Sequence, residues 1–167
     1  NCDIDVQVDY EQVRTDGDCL DSYTLTRTWT ATDNCGNTSS ESQVITVIDT
    51  TDPVLVGVPV AETVECDAVP APALVSATDN CDIDVQVDYE QVRTDGDCLD
   101  SYTLTRTWTA TDNCGNTSSE SQVITVIDTT DPVLVGVPVA ENVEWDAVPA
   151  PALVRSTDNC DIHVQVD

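Results

Sequence analysis

The feature that most constrains this chain is a repeat of 79 residues. Asn1-Cys2-Asp3-Ile4 recurs at Asn80-Cys81-Asp82-Ile83. Residues 80–158 differ from 1–79 only at Thr63/Asn142, Cys66/Trp145, Ser76/Arg155 and Ala77/Ser156. A third copy opens at Asn159, with His163 in the place of Asp5 and Asp84. A period of 79 is too long for one rung of a solenoid, so each copy is expected to be a small domain with its own core. Near-identity of the copies points to tandem duplication in a part whose job is length.

Charge removes several functions. The chain carries 32 acidic and 5 basic residues, a formal net charge of −27. Such a charge excludes nucleic-acid binding by phosphate neutralisation. There is no lysine, hence no Schiff base and no P-loop lysine, and His163 is the single histidine. A Ser–His–Asp or Cys–His centre is therefore hard to build. No apolar run approaches the ~20 residues of a membrane span. No signal peptide is visible, and the start at Asn1 suggests a mature product or a window on a longer chain.

The domain phase differs from the repeat phase. Ile48-Asp49-Thr50-Thr51-Asp52-Pro53 recurs at Ile127–Pro132 as a polar, proline-ended stretch between apolar runs. Cutting there gives a partial domain at 1–52 lacking its N-terminal part, a complete domain at 53–131, and a partial domain at 132–167 lacking its C-terminal part.

Within 53–131 the pattern is strand after strand. Ile83, Val85, Val87 and Tyr89 alternate with polar residues, as do Tyr102, Leu104, Arg106, Trp108 and Ala110 with threonines. This period of two predicts strands with one buried and one wet face. Further strands are expected at 54–58, 63–66 and 122–127, and a turn at Thr94–Asp97. β-branched residues favour this conformation, and no segment reads as a helix. About seven short strands predict an all-β fold of tandem immunoglobulin-like sandwiches.

A domain this small needs staples. The complete unit holds Cys66, Cys81, Cys98 and Cys114, which allow three pairings. With the domain termini at opposite ends of a tandem module, strand direction puts Cys81 with Cys114 at one end and Cys66 with Cys98 at the other. The expected bridges are Cys66–Cys98, Cys81–Cys114 and, by translation, Cys2–Cys35, with the partners of Cys19 and Cys160 outside the chain. Metal binding by these cysteines is the alternative. It lacks a CxxC pair and, in the complete unit, any histidine. Disulfides imply an oxidising, extracellular compartment.

The run Arg106-Thr107-Trp108-Thr109-Ala110-Thr111-Asp112-Asn113-Cys114-Gly115-Asn116, with Gln122–Val126 and Asp128–Pro132 after it and Val64-Glu65-Cys66 and Asp79-Asn80-Cys81 before it, resembles the hyalin-repeat (HYR)-like domain in its four-cysteine form. The resemblance covers essentially the whole chain. It implies immunoglobulin-like domains in long secreted or cell-surface proteins, common in Bacteroidota, some of them adhesins. Trp145 departs from the pattern, so its unit is expected to lack one bridge.

Acid placement marks the candidate site. Each full repeat carries 15 acidic residues, against two arginines in the first copy and three in the second. Strand direction gathers Asp79, Asp82 and Asp112 at one end of the complete domain, where the linker delivers Asp49 and Asp52. The next junction offers Asp128, Asp131, Asp158 and Asp161. One reading is a Ca²⁺ clamp stiffening the junctions, because six to eight oxygen ligands suit calcium. The other is a solvated acidic surface that keeps a secreted fibre soluble. A glycosidase pair is disfavoured, since a catalytic centre has no reason to be tiled. Arg106 is expected to be structural, stacking on Trp108 or pairing with an acid, and Trp108 to be the core tryptophan.

Thr50 and Thr129 sit in Asp-Thr-Thr motifs of the kind Bacteroidota O-glycosylate, and Asn37 and Asn116 open N-glycosylation triplets. The resulting reading is a non-enzymatic structural segment of an extracellular fibre or adhesin stalk. Its partners are further copies or repeats of the same chain, with glycans as attachments, and no nucleic acid or membrane span. A carbohydrate- or protein-binding module and the accessory domains of a secreted enzyme are the alternatives. Donor-strand exchange between 132–167 and a neighbour's 1–52 is a further arrangement, although 159–167 duplicates 1–9 and would compete for the same strand position.

Overall fold

The computed structural model describes residues 6–161. They form eleven strands and one short 3-10 turn at Cys66–Ala68, with no α-helix among the described residues. The strands are β1 (Gln7–Asp16), β2 (Tyr23–Thr32), β3 (Thr38–Val47), β4 (Val54–Val56), β5 (Glu62–Glu65), β6 (Ser76–Thr78), β7 (Gln86–Asp95), β8 (Tyr102–Thr111), β9 (Thr117–Ile127), β10 (Val133–Val135) and β11 (Arg155–Thr157). The all-β fold expected from the alternating pattern is what the chain adopts.

The strands β1-β2-β3 form an antiparallel meander, β4 pairs with β6, and β10 pairs with β11. A four-stranded sheet has the order β5-β9-β8-β7, in which β5 joins β9 in parallel, Glu62 opposite Ile124 and Glu65 opposite Ile127. A two-stranded and a four-stranded sheet thus lie within residues 53–131, an arrangement consistent with an immunoglobulin-like sandwich. The second copy of the repeat reuses the elements of the first: β7, β8 and β9 are the counterparts of β1, β2 and β3, and β10 and β11 those of β4 and β6.

Contacts divide the chain into two compact units. The first comprises Asn1–Val58, Leu74–Tyr89 and Trp108–Glu120. Its buried apolar residues include Pro53, Leu55, Trp108 and Ala110, and Tyr89 tilts against Trp108 at 5.4 Å between ring centroids. The second comprises Pro59–Ala73, Glu90–Thr107 and Ser121–Asp167. Its core is Leu104, Ile124 and Val126, packed by Val64, Cys66, Val69 and Tyr102. Apart from Pro53 and Tyr89, these residues lie on the inward face of β8 and β9 or on the segment 54–73 that precedes them.

Arg106 shares that inward face and is 3% exposed. A buried guanidinium must spend its donors. Its Nε donates to Gln91 Oε1 at 2.9 Å and one Nη to the Pro70 carbonyl at 2.7 Å. The expectation of stacking on Trp108 or pairing with an acid is corrected here. The partners are a neutral amide and a main-chain carbonyl, so Arg106 ties the irregular Val69–Pro72 stretch to the sheet. The opposite face carries hydroxyl pairs, Thr28 with Ser42 at 3.0 Å and Thr107 with Ser121 at 2.9 Å, as cross-strand threonine favours.

A second correction concerns the start of β7. Ile83, read as the first apolar residue of a strand, is fully exposed and precedes it. Asp79 and Asp82 capture the amides of Cys81, Asp82 and Asp84, and these Asx turns hold 79–84 as a loop in competition with the sheet.

Copies of one sequence do not share one environment. Trp108 is 2% exposed and its counterpart Trp29 is 39% exposed. Tyr10 tilts against Trp29 at 5.5 Å much as Tyr89 does against Trp108, and Arg27 donates to Gln12 at 3.0 Å as Arg106 does to Gln91. What differs is that Val64, Cys66 and Val69 pack against the Leu104 cluster and Pro70 accepts from Arg106, whereas the same face of β2 is half-exposed.

Candidate functional site: acidic turns and cysteine bridges

Three kinds of turn carry the site residues, and each is built by its own polar side chains. The Asp112–Asn116 turn closes when Asp112 N donates to the Asn116 carbonyl at 3.1 Å. The Asp112 carboxylate then accepts from Cys114 N, Asn116 N and Asn116 Nδ2 at 2.9, 2.8 and 2.7 Å. Gly115 sits at φ +89°, a left-handed conformation that glycine adopts without Cβ strain. The Asp33–Asn37 turn repeats this construction.

Partial burial opposes ionisation of Asp112, but the hydrogen bonds from Asn116, Cys114 and Gly115 outweigh it and hold its pKa below the ordinary carboxylate value. Asp33 is lowered chiefly by the Asn37 side chain and then by the Asn37 amide. Where the second copy meets the third, Asp158 accepts from Cys160 N at 2.8 Å and Asp161 N at 3.0 Å. The Asp161 and Cys160 amides lower its pKa.

The acidic residues meet in part as expected. One ligand atom each of Asp49, Asp79 and Cys81 lie within 4.8 Å of one another. Asp49 Oδ1 accepts from Thr51 N at 3.1 Å and Asp79 Oδ1 from Cys81 N at 2.8 Å. The Oδ2 atoms of both are buried and have no protein partner. The Cys81 thiol is pushed up by desolvation, then by the charges of Asp49, Asp21, Asp79 and Asp112. Asp82 Oδ2 accepts from Asn113 N at 2.9 Å, so the loops bearing Cys81 and Cys114 do lie together. Asp52 and Asp131 are exposed and belong to neither group of closely spaced ligand atoms.

At the second linker the group is Glu65, Asp128 and Cys160. Asp128 accepts from Thr130 N at 3.1 Å. Glu65 also binds Thr129 through both its amide and its hydroxyl. Sequence reasoning missed Asp21 and Glu65. Glu65 stands beside Cys66 at the end of β5, and that strand's direction was signal enough to place it near the outgoing linker. Asp21 had no such signal.

The expected disulfides are corrected. Cys66 is bonded to Cys160, not Cys98, and Cys114 to Cys19, not Cys81. Cys35, Cys81 and Cys98 are free and exposed. The expectation for Cys19 and Cys160, partners outside the chain, is corrected with them. Cys2, and with it the pair Cys2–Cys35, lies outside the described residues, though the free thiol of Cys35 is visible. The physical reason is that strand direction fixes which end of a domain a cysteine occupies and leaves open which neighbour meets it there. Cys114 shares an end with Cys81, but its bond goes to the Cys19 turn of the preceding copy, where Asn113 Nδ2 donates to Asp21 Oδ2.

Of the modification candidates, Thr50 is exposed, and Thr129 is exposed with its hydroxyl engaged by Glu65. The Nδ2 groups of Asn37 and Asn116 donate to Asp33 and Asp112, which gives both triplets a structural role. Grooves at the Cys19 turn and beside Asp33 are lined by small and charged side chains without an aromatic ring.

A disulfide-bearing, all-β, immunoglobulin-like architecture with acidic Asx turns defines the class as an extracellular type of module. Residues 55–126 match the family described as the HYR-like domain with 4 cysteines. No curated protein matches the chain. No helix among the described residues is long and apolar enough to cross a membrane.

Proposed function

We propose that this chain is a stretch of an extracellular stalk or fibre in which each 79-residue repeat acts as a non-catalytic spacer. The observation that supports it most is the repeat itself, 79 residues copied with four differences between the first two copies and folding twice into the same three-stranded meander. A spacer needs copies. An active site needs one centre, and here every acidic turn is tiled.

Calcium is the second part of the reading. Two carboxylate oxygens, Asp49 Oδ2 and Asp79 Oδ2, are buried without a partner in a group that spans 4.8 Å. Adjacent anionic oxygens of this kind favour a hard cation. The Cys81 thiol, held protonated, would contribute little to it. O-glycans on Thr50, in the exposed linker, fit the same role by stiffening and shielding the joint. The chelator test is direct. Removal of Ca²⁺ lowers the melting temperature of the chain, and Asp79→Asn abolishes that dependence. An identical melt with and without chelator ends the calcium reading.

The rival is a module that binds a partner in every repeat. Adding two repeats to the native array separates the two. A spacer lengthens the array by two periods at constant affinity for whatever its end binds. A binding module raises avidity with repeat number, and that result would replace the spacer reading.

A further inference from the structure

The two disulfides obey one rule. Cys19–Cys114 spans 95 residues and Cys66–Cys160 spans 94, both longer than the 79-residue period. Cys160 is the counterpart of Cys81 one repeat on, and Cys19 that of Cys98 one repeat back. Counted from linker to linker, each bond therefore leaves one 79-residue unit and enters the next. One joins the Cys66 position to the following Cys81 position. The other joins the Cys98 position to the following Cys114 position. The first crosses the linker at 127–132 and the second the linker at 48–53.

We propose that the array is a disulfide ladder, in which successive units are stapled by both bridges wherever all four cysteines are present, and that Cys35, Cys81 and Cys98 are half-bridges for adjoining copies of this repeat. Translation by 79 sends Cys98 to a partner at the Cys114 position of the next copy. Cys35 is sent to the Cys98 position of the copy before, and Cys81 to the Cys66 position of the copy before. None of these positions falls within 1–167, and these three are the free thiols. The same translation gives Cys2 no partner within the chain.

The turns are already shaped for bonding. Cys98 sits in a turn closed by Gly96 N to Ser101 O at 2.8 Å and Ser101 N to Cys98 O at 3.2 Å. Bonded Cys19 sits in a turn with the same two bonds, Gly17 to Ser22 at 2.8 Å and Ser22 to Cys19 at 3.2 Å. Cys35 occupies the Asp33–Asn37 turn, the twin of the turn that presents bonded Cys114. Cys81 N donates to Asp79 as bonded Cys160 N does to Asp158, each at 2.8 Å. Trp145 takes the Cys66 position in its copy and deletes one rung of the following junction, leaving the Cys98-type rung to hold it.

Each rung forms when two thiols give up two protons and two electrons. With oxidised glutathione as the oxidant, one protein disulfide forms and one glutathione disulfide becomes two thiols. A second copy of this chain supplies a partner for Cys98, because its Cys35 stands at the Cys114 position.

The test uses the 167-residue chain, reduced and then reoxidised with oxidised glutathione. At high dilution, alkylation and intact mass should count four free thiols, the eight cysteines less the two bridges. Three bridges within repeats would leave two. Cleavage after arginine without reduction should leave peptide 156–167, with Cys160, bonded to peptide 28–93, and Cys66→Ser should release it. At high concentration, reoxidation should give covalent multimers that Cys98→Ser abolishes. Two free thiols, an unattached 156–167 peptide, or multimers that are absent or indifferent to Cys98→Ser each overturn the ladder. The proposal goes beyond the spacer reading and fails separately from it. A fibre bridged within repeats fails these readouts, and a ladder in a protein that is no fibre passes them.

Discussion

Trp108 and Trp29 make an internal experiment, because the same ten-residue strand sequence holds both and only the cover differs. Truncating each to alanine removes the same atoms and a similar tilted tyrosine contact, 5.4 Å in one case and 5.5 Å in the other. What remains is burial, 2% against 39% exposed. A tryptophan buries up to about 250 Å², so the difference amounts to about 90 Å², or about 2 kcal/mol at ~25 cal/mol per Å². Trp108→Ala is expected to cost about 4 kcal/mol, within the range for large aromatic deletions from a core, and Trp29→Ala about 2 kcal/mol. Urea denaturation followed by far-UV circular dichroism reads both without relying on the deleted fluorophore. Equal costs, within about 0.5 kcal/mol, would refute the argument that the difference in burial of the two tryptophans sets their cost.

Further outcomes follow from the same contacts. Arg106→Ala should destabilise by about 3 kcal/mol in urea melts, since it empties the place of a buried side chain and takes a charged donor from the half-buried Pro70 carbonyl. Arg27→Ala, with one exposed bond to Gln12, should cost under about 1 kcal/mol. The lowered pKa of Asp112 contributes stability that is present above the unfolded carboxylate value of 3.8 and is lost as pH falls through the still lower folded value. Acid titration of Asp112→Asn should therefore show a shallower loss of stability below pH 4 than the parent, and an unchanged slope would contradict the turn's electrostatics. Gly115→Ala should destabilise the Asp112 turn by about 1 kcal/mol through its positive φ, detectable as a lowered melting temperature, although open space surrounds the added methyl.

Much of the fold was legible because each level of the sequence agreed with the next. Strict alternation in Tyr102–Ala110 placed Leu104, Arg106, Trp108 and Ala110 on one face, and all four are buried. The β7 start was misread because Ile83 continues an apolar alternation that local Asx turns override. The candidate site was legible only within one repeat. Asp49 and Asp79 were brought together by reasoning about linker and strand direction, while Asp21 and the bond partners of Cys66 and Cys114 depend on which copy meets which. A repeat of near-identical copies hides that information, because the partner in the same copy and the partner in the next read the same. The seam appears only in the bonds, through separations of 94 and 95 where the period is 79.

The central claim is that repeats stand single file as spacers, and mass per length of the native material measures it most directly. A strand of 11 residues, the length of β9, spans about 37 Å. Scanning transmission electron microscopy of unstained material should then find one 79-residue repeat for roughly each 37 Å of contour, at a constant value along the fibre. A mass per length several times higher, or compact particles with no contour to follow, would contradict the account.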